Sequence, residues 1–305
     1  MRWVKGARVQ SLWDGYGELF RARLEDGTPV VVKSVRPPTE RHHPRGWSSD
    51  AGHARKLRSY AVEQAFYRDW APKLPEETRV ARCLHLAREG DDFELVLEDL
   101  DAVGFSERRR DVRPPEARAC LRWLARFHAR FMGSTPDGLW PVGTYWHLAT
   151  RQEELAATED EALAAAAPAL DARLSGCTYP TLVHGDAKLA NFCFAPEGRV
   201  AAVDFQYVGG GCGMKDVAYF LSSLLDFEAM STESEGYLDV YFETLRAALD
   251  GSSFDLDAVE AEGRALYPWA WADFHRFLAG WAPDHWKLHD YARRHTRAVL
   301  DALGL

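Results

Sequence analysis

The densest chemical signal in the chain is His184-Gly185-Asp186-Ala187-Lys188-Leu189-Ala190-Asn191, followed by Val203-Asp204-Phe205-Gln206. A strand-like run, Thr181 to Val183, leads into the first cluster, and a second, Val200 to Phe205, carries the other. Ala195-Pro196-Glu197-Gly198 between them has the composition of a hairpin turn, which returns Asp204 beside the Asp186–Asn191 loop. Asn and Asp oxygens are hard ligands suited to Mg²⁺, an ion that keeps waters and completes its shell with phosphates. A carboxylate left over from metal binding can accept the proton of an attacking hydroxyl. An ammonium nearby can neutralise charge growing on a phosphoryl oxygen. Together these are the parts needed to move a phosphoryl group from a nucleotide to an alcohol. Each residue alone also has a plain reading as a cap or turn residue, and it is the joint spacing that argues for chemistry.

The elements that must position these residues fall into two parts. Glu18 to Leu24 and Thr28 to Val35 read as strands around Asp26-Gly27, a strong hairpin signal. Residues 36–52 are rich in Pro, His and Ser and read as a loop. A helix follows from about Ala54 to Ala71, ended by Pro72. Strands resume at Arg79 to Arg88 and Phe93 to Glu98. The rest is mainly helical: Pro115 to Met132, residues 152–174 with an interruption at Pro168, 215–247 and 256–302. The expected domains are 1–100 and 101–305, with a polar hinge at Asp99 to Arg113.

Composition narrows the class. Across 305 residues the net charge is −9, which disfavours a nucleic-acid or anionic-membrane binder. The run Arg108-Arg109-Arg110 is too short to change that. The longest segment free of Asp, Glu, Lys and Arg, Gly138 to Thr150, is too short to span a bilayer. No apolar run follows the N-terminal charges, so no secretory signal is read. The five cysteines, Cys83, Cys120, Cys177, Cys193 and Cys212, include no Cys-x-x-Cys, and reduced thiols in a cytoplasmic protein are expected.

The His184–Asn191 string with Val203–Gln206 resembles the aminoglycoside phosphotransferase and choline kinase superfamily, relatives of the protein kinases. The longer stretch Leu182 to Leu221 is most similar to its ecdysteroid-kinase-like branch, and the resemblance spans roughly residues 10 to 290. It implies an α+β, bilobal protein-kinase-like fold: a small lobe of antiparallel sheet plus one helix, and a larger, mainly helical lobe. It implies an ATP- and Mg²⁺-dependent small-molecule kinase with Asp186 as base, Lys188 at the transferring phosphate, and Asn191 and Asp204 holding the metal. His184 is expected to scaffold the loop, and Asp216 to cap a helix and brace that loop. In the first lobe Gly15 and Gly17 would approach phosphates, although two glycines before a strand are also ordinary turn residues. Lys33 would grip the α/β-phosphates, paired with Glu63 in Ser59-Tyr60-Ala61-Val62-Glu63-Gln64-Ala65-Phe66-Tyr67. The backbone from Glu98 to Leu100 would meet adenine. His128, on the apolar face of its helix, reads as a core residue.

Gln206 stands where protein kinases carry the glycine of Asp-Phe-Gly, and no Ala-Pro-Glu segment follows, which disfavours a protein kinase. The acceptor is expected to be a small, apolar or aromatic-compatible alcohol. Segments 138–148 and 265–291 hold Trp140, Trp146, Trp269, Trp271, Trp281 and Trp286; most should pack helices and a few should line the acceptor site. The same C-terminal segment mixes Asp273, Asp284 and Asp290 with Arg276 and Lys287, a balance that does not favour a polycation. The alternatives are an antibiotic-inactivating kinase acting on aminoglycosides or macrolides, a choline-type kinase, and a non-catalytic nucleotide-binding regulator. No nucleic-acid, membrane or protein partner is expected.

Overall fold

The computed structural model describes residues 1–12, 15–38, 50–224 and 227–305. Most of the loop expected at 36–52 therefore lies outside the described residues. The fold is α+β and divides into two compact units: Met1–Arg108 with Cys193–Gln206, and Arg109–Phe192 with Tyr207–Leu305.

The first unit is built on a five-stranded antiparallel sheet of β1 (Trp3–Ser11), β2 (Gly17–Leu24), β3 (Pro29–Val35), β5 (Cys83–Glu89) and β6 (Asp92–Glu98), in the order β1-β2-β3-β6-β5. Strand β1 was not expected over most of its length. It is an almost wholly exposed edge carrying Lys5 and Arg8, with two register shifts, and so lacks the apolar alternation that marks a half-buried strand. The β2–β3 turn is tight because Gly27 adopts φ 84° and the Thr28 amide donates to Asp26 Oδ1.

Strand β3 sets the geometry that matters. Val30 and Val32 pack with Phe20, Ala22 and Val96 on one face. Val35, of opposite parity, packs with Tyr16, Tyr60 and Phe93 on the other. Lys33 shares that second parity, so it points toward the helix bearing Tyr60. That helix, α1 (Asp50–Ala65), continues as a π turn (Phe66–Trp70) and a 3₁₀ turn (Ala71–Lys73) containing Pro72. The α-helix thus ends earlier than the proline alone suggests. The π turn presents Phe66, whose ring stacks on Phe205 at 3.9 Å. A second sheet joins β4 (Arg79–Val80), β9 (Val200–Ala202) and β8 (Phe192–Phe194).

The second unit is mainly helical: α2 (Pro114–Phe131), α3 (Gln152–Ala156), α4 (Glu161–Ser175), α5 (Met214–Ser222), α6 (Phe227–Ala248), α7 (Leu256–Trp281) and α8 (Asp290–Leu303). The expected interruption at Pro168 is not observed, since Pro168 lies inside α4. The break falls at 157–160, where Asp160 caps α4 by accepting from the Leu163 amide. A small ladder pairs β7 (Thr181–Val183) with β10 (Gly209–Gly211). Helices α2 and α6 pack together, as do α7 with α8, α4 and α5.

Candidate active site

In the second unit, β7 delivers the chain into a loop that Asp216 ties down. Its carboxylate accepts the backbone amides of His184 at 2.5 Å and Gly185 at 2.9 Å. It also meets His128 Nε2 at 3.1 Å, while His128 Nδ1 contacts the Tyr241 hydroxyl at 2.8 Å. Asp216 and His128 are both fully buried. The Asp216 carboxylate thus serves the loop rather than capping its own helix: α5 begins at Met214, and Gly213 at its N-cap makes no side-chain cap hydrogen bond. His184 accepts the Asp186 amide on Nδ1 at 3.2 Å, so the proton of the neutral ring sits on Nε2.

The bend itself depends on Gly185. Its φ is +81°, and a Cβ there would lie 2.0 Å from the Tyr207 carbonyl oxygen and 2.9 Å from the Thr144 nitrogen. Gly185→Ala is expected to destabilise the chain by about 2 kcal/mol or more. Equilibrium denaturation checks this; an unchanged midpoint would show that the loop can relax around a methyl group.

Around Asp186 the donors converge. Lys188 Nζ lies 2.9 Å and Asn191 Nδ2 3.0 Å from Oδ2, and Asn191 Nδ2 also reaches the Asp186 carbonyl at 2.8 Å. With its nitrogen turned to Asp186, Asn191 keeps its side-chain oxygen for another partner, as an oxygen ligand to a hard cation would require. The Tyr145 amide donates to the Gly185 carbonyl at 3.1 Å, and its ring packs on that of Tyr219 at 5.5 Å, so both phenols lie in the electrostatic environment of Asp186. Burial first, and then the Asp186 charge, push both phenols above their ordinary pKa, so they remain protonated donors.

Of the six tryptophans singled out by composition, Trp146 and Trp271 are fully buried and Trp286 is 60% exposed. Trp146 packs with Tyr219 and Phe274, while Trp269 packs on the cluster of α4, α7 and α8 residues. Sequence reasoning passed over Tyr145, Tyr219 and Lys287 as neighbours of Asp186. The aromatic richness of 138–148 and 265–291 was the available signal, but it drew attention to the indoles.

In the first unit, Lys33 Nζ and Glu63 Oε2 are 2.6 Å apart and both residues are buried. Burial raises the Glu63 pKa, Lys33 opposes that shift, and Asp204 adds to it, which places Asp204 in the same electrostatic environment. Asp204 takes φ +69°, a left-handed conformation that Asp tolerates better than most residues. Gln206 stabilises it: Nε2 donates to Asp204 Oδ1 at 2.7 Å, while Oε1 accepts from Lys56 at 3.0 Å and Ser59 at 3.2 Å. The residue that replaces a glycine therefore links α1 to the Asp204 carboxylate. Asp204 and Asn191 are each hard oxygen donors of the type Mg²⁺ takes alongside phosphates and water. Among the described residues no group of three or more His, Cys, Asp or Glu side chains forms a metal cage.

The glycines have a structural duty. Gly15 takes φ +74° and Gly17 φ +139°, and a Cβ on Gly17 would lie 2.0 Å from the Ser34 carbonyl oxygen. At the end of β6, the Glu98 amide donates to the Arg82 carbonyl at 2.9 Å, and the Glu98 carboxylate pairs with Arg79 and Arg82. The Leu100 carbonyl accepts the Phe105 amide at 2.9 Å.

Residues 10–252 match the sequence model of the phosphotransferase enzyme family. The chain belongs to that family. Among solved structures it is similar to a microcompartment-associated aminopropanol kinase, with 15% identity, TM-score 0.53, and 98% of this chain and 88% of that one covered. It is similar to choline kinase LicA from Streptococcus pneumoniae, with 15% identity, TM-score 0.53, and coverage of 99% and 94%. A thermostable mutant of aminoglycoside phosphotransferase APH(4)-Ia shares 13% identity at TM-score 0.51, with coverage of 98% and 95%. These likenesses establish a kinase-like fold for the phosphotransferase. No curated protein matches the sequence. Among the described residues no helix is long and apolar enough to cross a membrane.

Proposed function

We propose that this phosphotransferase moves the γ-phosphate of ATP, with Mg²⁺, to a hydroxyl of a small molecule with an apolar or aromatic body. The observation that carries the reading is the Asp186 carboxylate, fixed by Lys188 and Asn191 on a loop that Asp216 holds by two backbone amides. Asp186 accepts the proton of the acceptor hydroxyl as its oxygen bonds to the γ-phosphorus. The bond from that phosphorus to the β,γ-bridging oxygen breaks, and ADP leaves. Lys188 offsets charge on the transferring group. Lys33, oriented by Glu63, contacts the α/β-phosphates, and Gly15 and Gly17 let backbone amides approach them. The Glu98 amide and the Leu100 carbonyl are already engaged, so adenine would use the Glu98 carbonyl and the Leu100 amide.

Asn191 and Asp204 would hold Mg²⁺, which when bound neutralises charge on the phosphate oxygens. Asp204→Ala is expected to weaken Mg-dependent ATP binding by at least about tenfold. Calorimetry with and without Mg²⁺ checks it, and an unchanged affinity for Mg-ATP would remove Asp204 from the metal site. Transfer of labelled γ-phosphate from ATP into a chemically broad pool of alcohols tests the activity. The pool should contain aminoglycosides, macrolides, choline and steroid alcohols. A product from the last group would place the chain in the ecdysteroid-kinase-like branch.

A further inference from the structure

Lys287 lies between α7 and α8 and is only 8% exposed. Its ammonium stands over the rings of Tyr219 at 4.6 Å, Phe274 at 5.6 Å and Trp286 at 5.6 Å. Its backbone amide donates to His285 Nδ1. Among the described residues its Nζ has no hydrogen-bond acceptor and no carboxylate within ion-pair distance. Lys215 shows the usual solution in the same unit: 3% exposed, it pairs with Asp273 at 3.1 Å. An ammonium has three donors, and here none of them meets a protein acceptor although the nitrogen is not closed off from its surroundings, so all three are available to a ligand.

The charges around Lys287 come from the catalytic loop. Burial pushes its pKa down to about 7, with Asp186 opposing the shift and Lys188 adding to it. The packing agrees: Tyr219, under the ammonium, lies 5.5 Å from the Tyr145 ring, and the Tyr145 amide donates to the carbonyl of Gly185, next to Asp186, whose Oδ2 is occupied by Lys188 and Asn191. The surroundings of Lys287 are therefore aromatic walls, the proposed base, and three N–H groups that lack an acceptor. Those rings suit an organic body better than a hydrated phosphate chain.

We propose that Lys287 binds a carboxylate on the acceptor itself, so that the substrate is a hydroxy acid with an apolar or aromatic body. This rests on the reading that Asp186 takes the proton of the acceptor hydroxyl. The positive charge and the rings together select such an acid and repel a polycation.

Binding can be tested without turnover. Benzoate and 3-phenylpropionate are titrated calorimetrically into the full chain, next to their primary amides. Wild type should bind the acids at least about tenfold tighter than the amides. Lys287→Met and Lys287→Gln should each abolish that preference while leaving Mg-ATP affinity unchanged; two replacements guard against one that folds poorly. For a phosphorylated hydroxy acid, either variant should raise KM at least about tenfold and change kcat by less than about threefold. Acids and amides that bind alike, or a Lys287 variant that weakens Mg-ATP instead, would overturn the proposal. If the acid preference holds but no phosphate is transferred, the carboxylate site stands and the kinase reading falls. If transfer requires Asp186 and the Lys287 variants discriminate nothing, the reverse is true.

Discussion

Asp186→Asn should reduce kcat by about 10³-fold or more while leaving the affinity for Mg-ATP within about threefold of wild type. The replacement keeps the volume and the contact with Asn191 but removes the negative charge and the basic oxygen. Lys188 loses its partner, but that ammonium is 38% exposed and its ion pair contributes little stability, about 0–1 kcal/mol. The loop should keep its shape, because its brace is Asp216 acting on the amides of His184 and Gly185. A stable, nucleotide-binding, inactive variant is therefore the expected product. Single-turnover transfer of labelled phosphate, with calorimetry on the same sample, measures both halves. Turnover equal to wild type would end the assignment of Asp186 as base. Loss of Mg-ATP binding together with turnover would mean that Asp186 serves the nucleotide rather than the acceptor. Tyr219→Phe is a useful companion, since it removes a hydroxyl from the environment of Asp186 and keeps the carboxylate; its effect should be much the smaller of the two.

The parts of this site that could be read from sequence are those whose partners are near in the chain. Asp186, Lys188 and Asn191 lie within six residues, and one loop brings their side chains to the same carboxylate. Asp26-Gly27 acts through a bond spanning two residues. Lys33 and Glu63 are 30 apart, and it was the family resemblance, not their spacing, that paired them; strand alternation explains afterwards why Lys33 faces α1. Lys287 was mentioned only as part of a charge balance, because nothing in its neighbourhood says that α7 and α8 bring it toward residues about a hundred positions earlier. Tyr145 and Tyr219 were hidden differently. Aromatic content marked their segments, yet it cannot distinguish a phenol in the environment of Asp186 from an indole that fills a core. The helix break before Asp160 was misplaced because a proline is a louder signal than a cap, although α4 accommodates Pro168. Gln206 was read only as a departure from glycine. Its bridge from Lys56 and Ser59 to Asp204 needs the register of α1 against a segment almost 150 residues away.

Asp273→Asn should destabilise the chain by about 3–5 kcal/mol, among the largest losses any single substitution here would cause. Asp273 is buried with two cations, Lys215 at 3.1 Å and Arg276 at 2.8 Å. It also accepts the Trp146 indole N–H at 3.1 Å, and Arg276 in turn donates to the Trp146 carbonyl at 3.0 Å. Removing the one negative charge leaves two buried positive charges with no counter-charge, which costs more than the pair was worth against apolar side chains. Burial alone would raise the Asp273 pKa, but Lys215 and Arg276 outweigh it and hold the carboxyl down at about 2. A carboxyl with a folded pKa below its ordinary 3.8 binds fewer protons when folded. Its stabilisation is thus complete above about pH 4 and is lost as the pH falls through about 2. Denaturation of wild type and variant at pH 7 and at pH 2 checks the sign: the gap between them should narrow in acid. A gap that widens in acid would contradict the ion-pair account. Replacing the trio together, Asp273→Leu with Lys215→Met and Arg276→Met, should recover most of the lost stability, because no buried charge remains unpaired. Acceptor KM should not recover with it. Trp146 would lose both polar anchors, and it packs against Tyr145 and Tyr219, the phenols beside Asp186. Stability restored without acceptor affinity would show that the buried charges are retained to hold those rings in place. Restoration of both would show that apolar packing suffices.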